Sequence, residues 1–347
     1  MISFGNDYSQ GAIPEIMARL AATNLESTVG YGEDDYCAKA RETLKKKLNR
    51  PDADVYFLVG GTQTNLITIA RALKPWQGVI ALSTGHISIH ESGAIEARGH
   101  KILDVGTSPD GKLSIPLIEK ALRHLLPPHT VEPKMVYLSN PTEMGTLYTK
   151  KELVAISEFC KEKKYYLYLD GARMAMALSS EKNDIAITDY PALTDAFYLG
   201  GTKCGALFGE ALVIVNPDLK EGIGHIIKQT GALFAKGRLL GLQFETLFEN
   251  GLYESYGAHA NKTAKKMKEG FLKNGIALGY DSDTNQQFPV FSKALIAKAE
   301  KKYVFELWEE LDGERAIVRF VTSWATKEQD VDELIADLKA WTGEANT

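Results

Sequence analysis

Cysteine is scarce in this chain: Cys37, Cys160 and Cys204 are the only three among 347 residues. An odd number without metal-ligand spacing excludes a disulfide framework and fits a reducing compartment. An excess of basic charge is missing too. Lys and Arg together number 40 against 45 Asp and Glu, a formal net charge of -5, so nothing favours a nucleic-acid partner. No uninterrupted apolar run is long enough to cross a bilayer. The opening stretch, Met1 to Asp7, lacks the basic and apolar regions of a signal peptide. A cytoplasmic protein with neither membrane nor nucleic-acid partners is therefore expected. Internal repeats, low-complexity tracts and flexible linkers are absent as well.

What remains is an ordinary globular composition, 44% hydrophobic and 24% charged. It suffices for one large domain with a buried core and a smaller second one. From Asp54 onward, apolar strand candidates recur at Val55–Val59, Val79–Leu82, Ile102–Val105, Met135–Ser139, Tyr165–Asp170, Ala196–Leu199 and Leu212–Val215. Helical stretches such as Asn65–Leu73, Ile115–Leu126 and Lys151–Glu162 separate most of them. That alternation predicts an α/β fold with a mainly parallel sheet between helices. After Leu242 the pattern changes to a long charged helix (Asn261 to Lys273), short strands at Phe288–Phe291 and Ala316–Val321, and a final amphipathic helix from Glu328 to Trp341. The expected division is an N-terminal segment over residues 1–20, a large domain over 21–249 and a small α/β domain over 250–347.

Parallel sheets bind ligands beyond the carboxyl ends of their strands, so the residues just past each strand carry the functional information. The stretch Ala196-Phe197-Tyr198-Leu199-Gly200-Gly201-Thr202-Lys203-Cys204-Gly205 reads as a buried strand that stops at a glycine pair. A lysine held in the tight turn beyond it is partly desolvated and suited to form a Schiff base with an aldehyde. A surface lysine is the plain alternative, and Lys203 gains weight only if other strand ends complete a cofactor site. Three do. Gly60-Gly61-Thr62-Gln63, between a strand and a helix, offers free backbone N–H groups and a helix dipole to a phosphate. It is neither a Walker loop nor a dinucleotide fingerprint. His86 follows the next strand, where an imidazole can lie against an aromatic ring or serve only as a satisfied loop histidine. Asp170, ending Tyr165–Leu169, needs a cationic partner if buried, and a protonated pyridine nitrogen is one. Arg173 offers a planar fork to a carboxylate or phenolate oxygen, or pairs with an aspartate structurally. In the small domain Arg319 sits inside an apolar strand, where either a substrate carboxylate or a structural glutamate could answer its charge.

Taken in order, Phe4-Gly5-Asn6-Asp7, Tyr31-Gly32-Glu33-Asp34, Gly61-Thr62, Gly85-His86-Ile87 with Glu91 and Gly93, Asp170-Gly171-Ala172-Arg173, Lys203 and Val318-Arg319-Phe320-Val321-Thr322 resemble the threonine aldolase-like (β-eliminating lyase) family of fold type I pyridoxal-phosphate enzymes. The resemblance runs over nearly the whole chain. It implies an aspartate aminotransferase-like, seven-stranded sheet and pyridoxal 5'-phosphate as cofactor. Lys203 would be the Schiff-base lysine, Asp170 the partner of the pyridine nitrogen, His86 the ring-stacking imidazole, and Gly61, Thr62 and Gln63 the phosphate cup. Arg173 would stand near the cofactor's 3-oxygen and the substrate carboxylate, Arg319 would be the main carboxylate clamp, and Asn6 would lie near the substrate. The implied partners are an amino-acid substrate and further copies of the chain, as a homodimer or homotetramer with active sites at subunit boundaries.

The resemblance has departures. Ser139-Asn140-Pro141-Thr142-Glu143-Met144-Gly145 lacks the histidine that many threonine aldolases place beside the substrate hydroxyl. That stretch and Val321–Thr326 look closer to phenylserine aldolases. Lys228–Arg238 lacks the usual glycine-rich, arginine-bearing pattern. The expected reaction is cleavage of a 3-hydroxy-α-amino acid to glycine and an aldehyde, with His86, His90, Glu143 or a phosphate-bound water as base. The alternatives are β-elimination or transamination at the same site, or a non-catalytic binding protein.

Overall fold

A computed structural model describes residues 1–343. A two-residue strand, β1 (Ile2–Ser3), precedes the main sheet, whose strands are β2 (Asp54–Leu58), β3 (Gln77–Ala81), β4 (Lys101–Asp104), β5 (Glu132–Ser139), β6 (Tyr166–Asp170), β7 (Ala196–Gly200) and β8 (Glu210–Ile214). All seven apolar runs read from the sequence are strands of this sheet, shifted by up to three residues at their ends. The spatial order is β2-β8-β7-β6-β5-β3-β4. Every pairing is parallel except those of β8, which runs antiparallel to both β2 and β7.

The strands β3, β7 and β8 are buried along their whole length, as continuous apolar runs between two helical layers require. Val213, Phe197, Leu169 and Val136 alternate with Leu212, Tyr198, Tyr168 and Met135, and the two sets belong to separate apolar clusters on the two faces. Helix Lys150–Lys163 shows how locally the helices are specified. Thr149 and Glu152 form a reciprocal capping box at its start, and Lys164 closes it in the left-handed region.

The C-terminal part adds β9 (Leu278–Tyr280), β10 (Gln286–Ser292), β11 (Tyr303–Val304), β12 (Glu306–Glu310) and β13 (Arg315–Val321). Four of these form a sheet in the order β12-β13-β10-β9, and β11 pairs with β1. Phe271, Phe291, Phe305 and Phe320 pack together in its core. Phe4, from the chain's first residues, belongs to that same core. The long helix begins at Leu252, nine residues before the charged stretch seen in the sequence, and runs to Lys273. Its first half, with Tyr253 and Ala260, is built into the large core, and its second half, with Met267 and Phe271, into the small one. Among the described residues no helix is long and apolar enough to cross a membrane.

Candidate active site

The carboxyl ends of the parallel strands and the start of β8 converge on a cleft of about 460 Å³, a size ordinary for a cofactor-plus-substrate site. Gly61, Thr62, His86, Asp170, Arg173, Lys203 and Arg319 all line it. A second hollow of about 420 Å³, beside Tyr31, Arg41 and Lys228, holds none of these residues.

Beyond β2 the chain turns directly into helix Gly61–Ala72, and Gly60 supplies no side-chain cap. The first-turn N–H groups are therefore left for another acceptor, at the positive end of the helix dipole. A Cβ added at Gly61 would stand 3.0 Å from the Tyr198 hydroxyl, so the cradle depends on its absence. Gln63 turns back instead: its Oε1 accepts the Val59 N–H at 3.1 Å, and its side chain steadies the cradle from outside the cleft.

The lysine-bearing turn after β7 is closed by the backbone. Gly201 and Thr202 donate to the Gly209 carbonyl at 2.9 and 3.0 Å, and Cys204 and Ala206 donate back to Gly201 at 2.8 and 3.0 Å. Lys203 stands in this loop, half-buried, with no hydrogen-bond or ion-pair partner among the described residues. An unpaired lysine amine directed into an enclosed cleft is the donor a covalently held aldehyde requires.

Asp170 is buried and surrounded by donors. Tyr198 and Tyr137 give their hydroxyls at 2.5 and 2.7 Å, Asn65 its amide at 3.2 Å and Ala172 its N–H at 3.0 Å. Burial alone would push its carboxyl up, but the charge of His86, the two tyrosine hydroxyls and the Ala172 N–H bring it below the usual range. It is an ionised carboxylate at neutral pH. His86 is tied through Nδ1 to Glu91 at 2.8 Å, and Glu91 also accepts from Asn65 at 2.7 Å. Burial works against the imidazolium, yet the Glu91 bond and the charges of Glu143 and Asp170 raise His86 above its ordinary value. His90, whose ring centroid lies 5.4 Å from that of His86, goes the other way, lowered by burial and by His86.

Arg173 pairs with Asp7, not Asp170: its Nε and a terminal nitrogen reach the Asp7 oxygens at 2.6 and 3.1 Å, and Asn285 adds a bond at 2.8 Å. Both residues are buried. Arg319 is held by Glu306, its register partner on β12, by Gln286 at 3.0 Å and by the Trp308 ring at 4.8 Å. Its Nε is buried without a partner. Burial and the nearby charge of Arg173 both act against its own charge, so an anion lodged between the two guanidinium groups would relieve both. Asn6 lies outside the cleft. Its side chain accepts from the Tyr8 N–H at 3.0 Å and the Ser9 hydroxyl at 2.8 Å, closing a turn that sets Tyr8 in the cleft wall.

Sequence reasoning missed Tyr137, Tyr198, Asn65, Asp7, Gln286 and Glu306 as members of this site. A tyrosine within a fully apolar strand was the available signal, because a buried hydroxyl must find a partner.

The donor set fits pyridoxal 5'-phosphate: an unpaired lysine, a helix N-terminus open to an anion, a buried ionised carboxylate and an orphaned guanidinium nitrogen. Fold and site together define a pyridoxal-phosphate enzyme of fold type I. A family model described as Beta-eliminating lyase matches residues 6–312. The low specificity L-threonine aldolase of Pseudomonas sp. is 32% identical over 341 residues, covering 97% of each chain. The solved threonine aldolase of Leishmania major is 49% identical, with a TM-score of 0.97 over 99% of this chain and 100% of that one. A Thermus thermophilus aspartate aminotransferase variant, 16% identical, shares the fold with a TM-score of 0.70 over 98% of this chain and 91% of its own. The chain belongs to the beta-eliminating lyase family.

Proposed function

We propose that this protein is a pyridoxal-phosphate-dependent aldolase that cleaves a 3-hydroxy-α-amino acid, of the threonine, allo-threonine or phenylserine type, to glycine and an aldehyde. The observation that carries the reading is the unpaired Lys203 amine in one cleft with ionised Asp170, an open helix N-terminus and the orphaned Nε of Arg319.

When bound, the cofactor supplies an electron sink for the pair released as a bond to the substrate Cα breaks. Lys203 Nζ would hold it covalently. The N–H groups at Gly61 and beyond, with the Thr62 hydroxyl, would hold its phosphate, and Gln63 would support them through Val59. Asp170 would keep a proton on the pyridine nitrogen, because an ionised carboxylate fixed by four donors needs no rearrangement to do so. His86, pinned by Glu91, would pack against the ring. Arg319, its terminal nitrogens engaged by Glu306 and Gln286, would hold the substrate carboxylate through its partnerless Nε and its charge. Arg173, with two nitrogens committed to Asp7, would contribute chiefly its charge. This grip orients the Cα–Cβ bond for cleavage. Three groups of the cleft, His86, His90 and Glu143, can take the β-hydroxyl proton, and the lowered value of His90 leaves it a neutral acceptor at physiological pH. We further infer a cytoplasmic homodimer or homotetramer.

Visible absorption of the purified protein, with pyridoxal phosphate and then with glycine, tests the reading. A cofactor band that changes with glycine is expected. A protein that takes up no cofactor would overturn it, and a band indifferent to glycine would favour elimination or transamination.

A further inference from the structure

Glu210 is buried, 4% exposed, and plays no part in the steps above. It opens β8. Because β8 runs antiparallel, its first residue stands at the same end of the sheet as the last residues of its neighbours, opposite Gly200 on β7 and Leu58 on β2. Its carboxyl therefore lies under the lysine-bearing turn, where Oε2 accepts the Gly201 N–H at 3.0 Å. Glu210 and Lys203 line the same cleft, yet the two are not joined in an ion pair. The turn is too tightly packed to shift readily: a Cβ at Gly201 would press on the Gly209 carbonyl at 2.6 Å and the Phe244 ring at 2.9 Å.

We propose that Glu210 is a positioning residue for Lys203, holding the lysine-bearing turn through Gly201 and, by keeping or losing its own proton, setting whether a neutral acid or a carboxylate faces the Lys203 amine as it captures the cofactor. The proposal rests on the reading of Lys203 as the covalent anchor. Burial pushes the Glu210 carboxyl up to about 8, against the pull of Thr202, the Gly201 N–H and Lys203, while Asp170 adds to the rise. The other titratable groups around it, Tyr198, Tyr168, Tyr253 and Cys204, are each pushed upward by burial and stay neutral there. Asp170 stays ionised. In this cluster it is Glu210 whose charge changes near pH 8. Below that pH it is a neutral acid, and no charge stands under the lysine turn from this side. Above it, a carboxylate shares the cleft with the amine, and a nearby anion favours the charged form of an amine over the neutral one. Only the neutral amine can attack an aldehyde carbon, forming the C–N bond as the carbonyl oxygen leaves as water.

The test uses cofactor-free full-length protein and follows uptake of added pyridoxal phosphate by its visible band, on both sides of pH 8. Wild type should show a break near pH 8 in the uptake rate. Glu210→Gln, which carries no charge at any pH, should lose the break and take up cofactor faster than wild type on the alkaline side, by up to about tenfold, the ratio one pKa unit produces. Glu210→Asp should restore a break. A break that persists in Glu210→Gln, or an equal slowing at every pH, would overturn the proposal. If Glu210→Gln does not fold, infrared spectra of the wild type decide: a buried protonated carboxyl that ionises near pH 8 supports it, and none overturns it. Wild type that takes up no cofactor at all would defeat the Lys203 reading instead, and this proposal with it.

Discussion

Taking the carboxylate of Asp170 out of water is costly, and the chain meets the cost with four hydrogen bonds from Tyr198, Tyr137, Asn65 and Ala172. Its carboxyl is held below the unfolded value, so its contribution to stability is present above that value and lost as pH falls through the folded one. Asp170→Ala should retain some cofactor while slowing cleavage by about 10²- to 10³-fold or more, measured as single-turnover rate. An unchanged rate would remove Asp170 from the mechanism. Lys203→Ala should lose the cofactor's visible band and nearly all turnover. His86 titrates above its ordinary value, so its pairing with Glu91 stabilises the fold at acidic pH and loses that effect as pH rises through the folded value. Glu91→Gln should therefore lower the His86 titration midpoint seen by NMR, and its deficit in thermal midpoint should narrow as pH rises. Lys203, Asp170 and His86 were readable because each follows a run of apolar residues at a strand end. Their partners were not, because hydrogen bonds such as that from Tyr198 to Asp170 join residues 28 apart in sequence, and that of Asn65 joins residues 105 apart.

Strands carry their residues to the site only if their ends can cross closely. Gly200 donates its N–H to the Gly171 carbonyl at 2.9 Å, and a Cβ on Gly200 would overlap the Ala172 carbonyl. The lysine turn and the aspartate turn thus meet through two glycines. Gly200→Ala should lower stability by about 1–3 kcal/mol, the range of overpacked cores, and weaken cofactor retention, with thermal midpoint and bound cofactor as readouts. Retention of both would show that the crossing has slack. The seven strands were legible from their apolar runs, but the reversal of β8 was not. A strand buried on both faces is apolar read in either direction. That reversal is what brings Glu210 to the lysine turn. The start of helix Leu252–Lys273 was missed for a related reason: Leu252 to Ala260 packs on the large core and lacks the charged pattern of the later turns.

At the scale of the molecule, the site joins two sheets. Lys203, Asp170 and His86 come from the carboxyl ends of the large sheet's interior strands, whereas Arg319 and its holders Gln286 and Glu306 come from the small one. We keep the division into residues 1–20, 21–249 and 250–347 as a proposal, with helix Leu252–Lys273 packed into both cores. Arg319→Lys replaces a planar fork with a point charge and should raise KM by about 10- to 100-fold, the worth of one charged hydrogen bond. Cofactor binding should be spared, since no lining residue assigned to the phosphate or the ring belongs to the small sheet. Loss of cofactor in that variant would mean the arginine supports the large-domain site directly.

The most direct test of the central claim is product analysis: holoenzyme incubated with L-threonine, and separately with phenylserine, with glycine, aldehyde, keto acid and ammonia quantified together. Retro-aldol cleavage predicts glycine and aldehyde in equal amounts from at least one of these substrates. A keto acid with ammonia, and no glycine, would contradict it.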